Sequence, residues 1–365
     1  MRVIVIGSGI AGASTAYHLA LRGAEVVVVD IERPGVATAA GAGIVSPWTT
    51  RRTDAEFRLA ELAAAYYPEL VAQLAEDGQT ESSYEVVGGM VVSADERELA
   101  EAEQRIGARA AASPLAGEVR RLDPAQAREL FPALAPELGA VHLSGSARVD
   151  GRQVREALLQ AAKRRGVEIR VGQAELAGSG VRVDGETLGA DRIVVAAGAW
   201  SAELLAPLGL TLDVAPQRGQ ISHFGLPGVD TASWPVVLPV SSHYLLAFPG
   251  SRVVAGATRE TGSGFDHRVT AAGQFEVLEQ ALAVAPGLAD ATLLETRIGF
   301  RPASRDGAPL LGAVDGHPEL LIATGFGPAG LTLAPYSGSL VAALAFDEDP
   351  TADLWPYRPG RVSAR

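Results

Sequence analysis

Apolar and polar positions near the start of the chain change period twice. Arg2 to Ile6 is a short apolar run that ends in glycine. From Ala11 to Arg22 the spacing becomes helical: Ala13, Ala16, Tyr17 and Ala20 share one face, and Gly23 is a stop signal. Residues 25–30 then carry four consecutive valines and end in an acid, the pattern of a strand buried on both faces. The opening segment therefore predicts strand, helix, strand: a βαβ unit.

Farther along, the pattern predicts helices over 53–76, 94–106, 124–130, 151–165, 270–285 and 330–344. In the 151–165 helix, Val154, Leu158, Ala161 and Ala162 face inward. Strands are predicted over 85–93, 167–171, 192–196, 235–248, 251–257 and 320–324, with a turn at Pro249-Gly250 between two of them. The stretch 107–139 is rich in Pro, Gly and Ala and reads as mostly loop. Strand–helix alternation at the start, middle and end, with strand pairs between, predicts an α/β nucleotide domain built from discontinuous segments and a sheet-rich second domain inserted into it.

Composition narrows the chemistry. With 365 residues, 47% hydrophobic and 20% charged, the chain is globular rather than disordered. A net charge of −12 disfavours nucleic acid as a partner. There is no cysteine, which removes disulfides, thiolate nucleophiles, iron–sulfur clusters and cysteine-based zinc sites. Lys163 is the single lysine, so any lysine chemistry must use it. No spacing suggests a metal site. No apolar run reaches the ~18–20 residues of a membrane span. Residues 1–23 are apolar like a secretion leader, but glycines interrupt them and they run straight into a second strand pattern, so the cytoplasm is the expected location.

Four motifs carry the candidate chemistry. The first is Gly7-Ser8-Gly9-Ile10-Ala11-Gly12, which follows a strand, opens a helix and is answered by Asp30 at the end of the next strand. In that context Gly7 permits the tight turn, Gly9 lets backbone approach a pyrophosphate, and Gly12 lets helix and strand pack closely. The helix start offers free N–H groups and roughly half a positive charge to phosphates, and Asp30 accepts from ribose hydroxyls. Its charge disfavours NADP; the motif alone does not separate NAD from FAD. The second motif is Ala196-Ala197-Gly198-Ala199-Trp200 after a strand, a small-residue turn equally readable as strand-end packing. The third is Arg297-Ile298-Gly299-Phe300-Arg301-Pro302, whose arginines suit either a carboxylate clamp or a surface ion pair. The fourth is Thr324-Gly325-Phe326-Gly327-Pro328-Ala329-Gly330-Leu331-Thr332, a second glycine-rich turn opening a helix.

In this order and at these spacings the four motifs resemble the D-amino-acid oxidase and glycine oxidase family of FAD-dependent amine oxidoreductases. Thr38 to Val45 resembles that family's flavin-contacting loop, and Val149-Asp150-Gly151 and Arg218-Gly219-Gln220 are also typical. The resemblance covers almost the whole chain, is closest to the glycine-oxidase-like branch, and is weakest over 82–140. It implies an α/β fold: an FAD-binding, Rossmann-type domain of the glutathione-reductase kind over 1–81, 141–215 and 298–365, and a mixed-sheet substrate domain over 82–140 and 216–297. It implies that a neutral amine loses its α-hydrogen as hydride to flavin N5, and that the imine is hydrolysed to a keto acid and ammonia, with O2 as the acceptor.

The resemblance also implies site residues. Arg301 stands where the family binds the substrate carboxylate, and Tyr244 where a tyrosine contacts substrate. FAD contacts are implied for Gly7, Gly9, Ile10, Ala11, Gly12, Asp30, Ile31, Thr38, Ala39, Gly43, Ile44, Ala174, Ala197, Gly198 and Trp200. The turn Gly327, Ala329, Gly330, Leu331 and Thr332 aims a helix start at the flavin N1–C2=O edge. Sarcosine-oxidase-like relatives hold FAD through a cysteine and use a lysine; this chain lacks the cysteine, and Lys163 sits on an exposed helix end. Another branch attaches FAD through a histidine where Thr38 stands, so non-covalent FAD is expected. The second arginine of some glycine-oxidase-like members is replaced by Pro328. His223 and His243 read as solvated or structural. The open alternatives are a dehydrogenase of the same family passing electrons to a quinone or carrier, an NAD-dependent dehydrogenase, and a silent flavin-binding module. The partner expected is a small amino acid or amine; a homo-oligomer is left open.

Overall fold

The strand predicted first, Arg2–Ile6, lies at the centre of a six-stranded sheet in the computed structural model, which describes residues 1–51, 55–177, 180–241 and 243–362. Across this sheet the order is Leu310–Val314, His317–Thr324, Arg192–Val195, Arg2–Ile6, Glu25–Asp30 and Glu168–Val171. All neighbours are parallel except the edge strand Leu310–Val314. Val3 to Ile6 and Val26 to Val29 are buried, as strands covered on both faces require. One face packs against the helices Ile10–Leu21, Ala55–Glu76, Gly151–Arg164 and Gly330–Ala345. A three-stranded sheet, Ala174–Ala177, Gly180–Val183 and Glu186–Gly189, covers the other through Val181, Val183 and Leu188. The start of the helix expected at 53 lies outside the described residues.

Close helix packing follows from small residues. A Cβ at Gly338 would meet the Ser14 hydroxyl at 2.5 Å, and Ser14 donates to the Pro335 carbonyl at 2.6 Å. The first and last helices therefore cross at Gly338, directly behind the two glycine-rich turns.

A second, nine-stranded sheet is mixed. Its path is Glu260–Thr261, Val214–Gly225, Arg252–Gly256, Tyr244–Phe248, Val236–Pro239, Gly89–Ser93, Gly139–Leu143 and Val119–Leu122, and Thr292–Ser304 also pairs with Val214–Gly225. Only Val236–Pro239 on Gly89–Ser93 is parallel. Phe131, Val277, Ala281 and Leu288 bury its outer face.

The structure departs from the pattern-based reading in several elements. The strand expected over 85–93 breaks at Gly88, whose φ is +78°, and that over 235–248 divides into Val236–Pro239 and Tyr244–Phe248. The loop-rich 107–139 holds the strand Val119–Leu122. Asp95 accepts from the Arg97 amide at 2.7 Å, so the helix expected at 94 begins at Glu96. The long strands Val214–Gly225 and Thr292–Ser304 were not expected, and the limits 215/216 and 297/298 fall inside them.

Candidate active site

The three glycines of the first turn differ in what they face. Gly7 has φ +103°, and a Cβ there would stand 2.5 Å from the Ala196 carbonyl oxygen. A Cβ at Gly12 would lie 1.8 Å from the Gly7 oxygen. Both are glycines because protein backbone presses on them. Gly9 is different: its φ of −62° suits any residue, and its nearest neighbour to a Cβ is the Thr38 hydroxyl at 3.4 Å. Gly9 lines an open cavity of about 550 Å³ whose wall draws on both large sheets.

The helix start at this cavity is partly free. Thr38 Oγ1 accepts from the Ile10 amide at 3.0 Å, and the Ala13 amide bonds the Gly9 carbonyl. Among the described residues the amides of Gly9, Ala11 and Gly12 have no acceptor, as an anion site at a helix start requires. Asp30 Oδ2 accepts from the Ser8 amide at 2.7 Å and Oδ1 from the Ile31 amide at 2.8 Å. That holds its carboxylate beside the turn.

Two further turns close the wall. Gly198 and Gly327 both have positive φ and open space where a Cβ would be. Thr324 Oγ1 donates to the Gly198 carbonyl at 2.9 Å, tying these turns together. Thr332 donates to the Ile44 carbonyl at 2.7 Å, and Tyr67 to the Leu331 carbonyl, fixing the first turn of the last helix. Trp200, Phe265 and Phe300 form an aromatic cluster, with Trp200 stacked on Phe265 at 4.8 Å.

Arg301 and Tyr244 sit on the second sheet's side of the same cavity. Arg301 Nη1 donates to the Thr258 carbonyl at 2.9 Å, and its guanidinium lies over Gly219, where a Cβ would come within 2.6 Å of both Nη atoms. Burial pushes the Arg301 guanidinium below its ordinary range; the nearby Tyr244 hydroxyl opposes this, and Arg259 adds a like charge. Burial pushes the Tyr244 phenol up, and its contact with Arg301 works against the rise.

Of the residues predicted for the site, Gly7, Gly9, Ile10, Ala11, Asp30, Ile31, Thr38, Gly43, Ile44, Ala174, Ala197, Gly198, Trp200, Tyr244, Arg301, Gly327, Gly330, Leu331 and Thr332 line this cavity. Gly12, Ala39 and Ala329 do not. Gly12 packs against the backbone of Gly7 in the turn, and the Ala39 carbonyl accepts from Arg152 at 3.0 Å. Arg297, the other arginine of the third motif, pairs with Glu295 at 2.6 Å instead. Lys163 is exposed and stands off the wall. His223 and His243 are not on it either; burial lowers His223 to about 4. Among the described residues no cluster of His, Asp or Glu could hold a metal, and no helix is long and apolar enough to cross a membrane. Sequence reasoning missed Arg259, which lines the cavity from the loop after Arg252–Gly256.

Residues 2–344 match the family model described as FAD dependent oxidoreductase. The chain belongs to that family. The crystal structure of iminodiacetate oxidase from Chelativorans sp. BNC1 is 48% identical, with a TM-score of 0.95, covering 98% of this chain and 99% of that one. The oxidoreductase YurR of Bacillus subtilis is 45% identical, and a glycine oxidase of Pseudomonas aeruginosa 33%, each over 99% of both chains. The enzyme is thus an FAD-dependent oxidoreductase with a Rossmann-type fold, and the cavity fits its cofactor. Three turns of small residues, unbonded amides at a helix start and glycines with nothing opposite them leave room for a long, anionic, planar ligand.

Proposed function

We propose that this enzyme oxidises the C–N bond of a small carboxylate-bearing amine, an amino acid or N-alkyl glycine, with O2 as the electron acceptor. The observation that carries this is Arg301, held beside Tyr244 on the wall of the cavity that also contains the dinucleotide turn. The named activities of the iminodiacetate and glycine oxidases support the substrate class. Bound FAD supplies the two-electron acceptor for the substrate's C–N bond.

The chain's own residues do the positioning. Arg301 presents a planar fork to a carboxylate, fixing orientation as well as affinity. Its Nη1 is bonded to the Thr258 carbonyl and its guanidinium also meets the Tyr244 hydroxyl, while no carboxylate pairs with it among the described residues. Tyr244 adds a hydroxyl next to the fork. Trp200 and Phe300 give the cavity an apolar stretch of wall, and Phe265 packs against both. Loss of two electrons and one proton, together a hydride, from the neutral amine gives an iminium ion, and water then yields the carbonyl acid and the free amine or ammonia with release of a proton. In this reading 1–81, 141–215 and 298–365 bind cofactor and 82–140 with 216–297 hold substrate, except that Arg301 reaches the substrate from the strand Thr292–Ser304, which crosses the 297/298 limit.

The test is Arg301→Lys and Arg301→Ala against glycine, N-methylglycine and a simple amine without a carboxylate. Removing a hydrogen bond to a charged group costs ~1.5–3 kcal/mol, so kcat/KM for the carboxylates should fall roughly 10- to 150-fold. The simple amine should barely respond, and bound FAD should keep its spectrum. Hydrogen peroxide formed in step with substrate lost supports O2. Undiminished carboxylate turnover in Arg301→Ala would falsify the assignment.

A further inference from the structure

Arg297 stands two places before Gly299 and four before Arg301, so strand alternation puts all three on one face of Thr292–Ser304. Gly299 and Arg301 line the cavity, and Arg297 does not. Its side chain is largely buried and is held by Glu295, which accepts from Nε at 2.8 Å and from Nη2 at 2.6 Å. That contact keeps the Glu295 carboxyl below its ordinary range. The ion pair accounts for only two of the three guanidinium nitrogens. Nη1 has a different partner, the Ala39 carbonyl at 3.4 Å.

That carbonyl is a meeting point. Arg152, on the helix Gly151–Arg164, donates to the same oxygen from Nε at 3.0 Å. The two arginines come from different parts of the molecule: Arg152 from a helix packed on the six-stranded sheet, Arg297 from a strand of the nine-stranded one. A close-fitting glycine accompanies each. A Cβ at Gly151 would lie 2.4 Å from the Thr38 carbonyl oxygen, and one at Gly299 would lie 2.8 Å from Ala40 Cβ. Arg252 pairs with Asp150 at 3.0 Å and closes the same seam beside Gly151. Every residue from Val36 to Ile44 lines the cavity except Ala39. The loop thus presents its neighbours to the cavity and is gripped at the residue that faces elsewhere.

We propose that Arg297 is a positioning residue for the cofactor: through the Ala39 carbonyl, which it shares with Arg152, it holds the 36–44 loop against bound FAD and touches neither FAD nor substrate. The helical turn Ala37–Ala40 is too short to keep its place by its own hydrogen bonds. Its position is set by two backbone clearances and two charged donors, and a charged donor makes the stronger hydrogen bond. Because Arg297 and Arg301 share one strand face, the same strand fixes the loop and the Arg301 guanidinium relative to each other.

The experiment takes the full chain, stripped of FAD and reloaded. Flavin fluorescence titration gives the Kd for FAD, the visible absorbance spectrum of the bound flavin reports the loop's contact with it, and thermal unfolding of the stripped protein reports the fold. Arg297→Gln should raise the Kd for FAD about 5-fold and shift the spectrum, while the stripped protein unfolds as the parent does. Arg297→Lys keeps a charged donor and should recover part of the affinity. Since two arginines share one oxygen, Arg297→Gln combined with Arg152→Gln should depart from the product of the separate effects by about threefold or more. An unchanged Kd and spectrum in Arg297→Gln overturn the proposal. Lost stability of the stripped protein with an unmoved Kd assigns Arg297 to its ion pair with Glu295 alone and overturns it too. Strictly multiplicative effects in the double variant do the same, because the arginines then do not act through one carbonyl. No substrate enters these measurements, so failure here leaves the carboxylate role of Arg301 standing, and failure of that role leaves this result standing.

Discussion

Gly9 and Gly12 should respond in opposite ways to the same added methyl group. In Gly12→Ala the Cβ would stand 1.8 Å from the Gly7 oxygen, 2.9 Å from its carbonyl carbon and 3.3 Å from Ala196 Cβ. These are backbone atoms or a side chain with no rotamer to change. The helix must move off the sheet, which costs ~1–3 kcal/mol or more of stability. In Gly9→Ala the backbone is already at φ −62° and ψ 178°, and the nearest atom is Thr38 Oγ1 at 3.4 Å. Alanine is a poorer helix cap than glycine, but it reduces the freedom of the unfolded chain, so the net change should stay within ~1 kcal/mol. The methyl group then projects into the cavity, where a bound pyrophosphate would have to retreat from it. Overpacking of that kind costs ~1–3 kcal/mol, which is about 5- to 150-fold in the Kd for FAD. Thermal unfolding of FAD-stripped protein reads the first effect, and flavin fluorescence titration reads the second. Gly9→Ala should match the parent when stripped and bind FAD weakly; Gly12→Ala should unfold early even when stripped. If Gly9→Ala is as unstable as Gly12→Ala, or binds FAD as the parent does, the division of roles is wrong.

Two other expectations test separate parts of the molecule. FAD should leave with the supernatant after acid or heat precipitation, because the chain has no cysteine and residue 38, on the cavity wall, is a threonine and not a histidine; flavin absorbance retained in the washed pellet would contradict this. Burial lowers His18 from 6.5 to about 4, so its neutral form is the folded one. Its contribution is complete above pH 6.5 and is lost as pH falls towards 4, by on the order of 3 kcal/mol. Urea unfolding at pH 7 and pH 4.5 should show His18→Gln losing less stability across that interval than the parent, and parallel losses would refute it.

The first βαβ unit was legible because each of its signals is local. Four valines, a glycine stop and a helical row of alanines need no distant partner to be read. Val214–Gly225 and Thr292–Ser304 were illegible for the opposite reason. Each carries proline, glycine and arginine, residues that argue against a central strand. In the structure Pro216 faces Pro302 and Gly219 faces Gly299, so the breakers of one strand meet the breakers of the other. Those glycines are clearances: a Cβ at Gly219 would collide with the Arg301 guanidinium, and one at Gly299 with Ala40. The residues that hid the strands are the ones that make room for the site between them.

The same distinction explains why Arg301 could be named and Arg259 could not. Arg301 sits in a glycine- and proline-flanked motif that resembles the family's carboxylate-binding position, and that resemblance singled it out from a surface ion pair. The role of Arg259 is set by which acids are already engaged elsewhere. Glu260 is the next residue in sequence and its obvious partner, yet Arg218, forty-two positions away, holds it. Gln220, also remote, fixes Thr258 on the other side. Once those distant pairings form, the adjacent acid is unavailable, and the charge on Arg259 is left facing the cavity. No period or local motif encodes that outcome, because it follows from the antiparallel register that brings Arg218 opposite Glu260. The availability of a charge is a property of the folded pairing pattern, and that pattern is what leaves the exposed Arg259 facing the cavity.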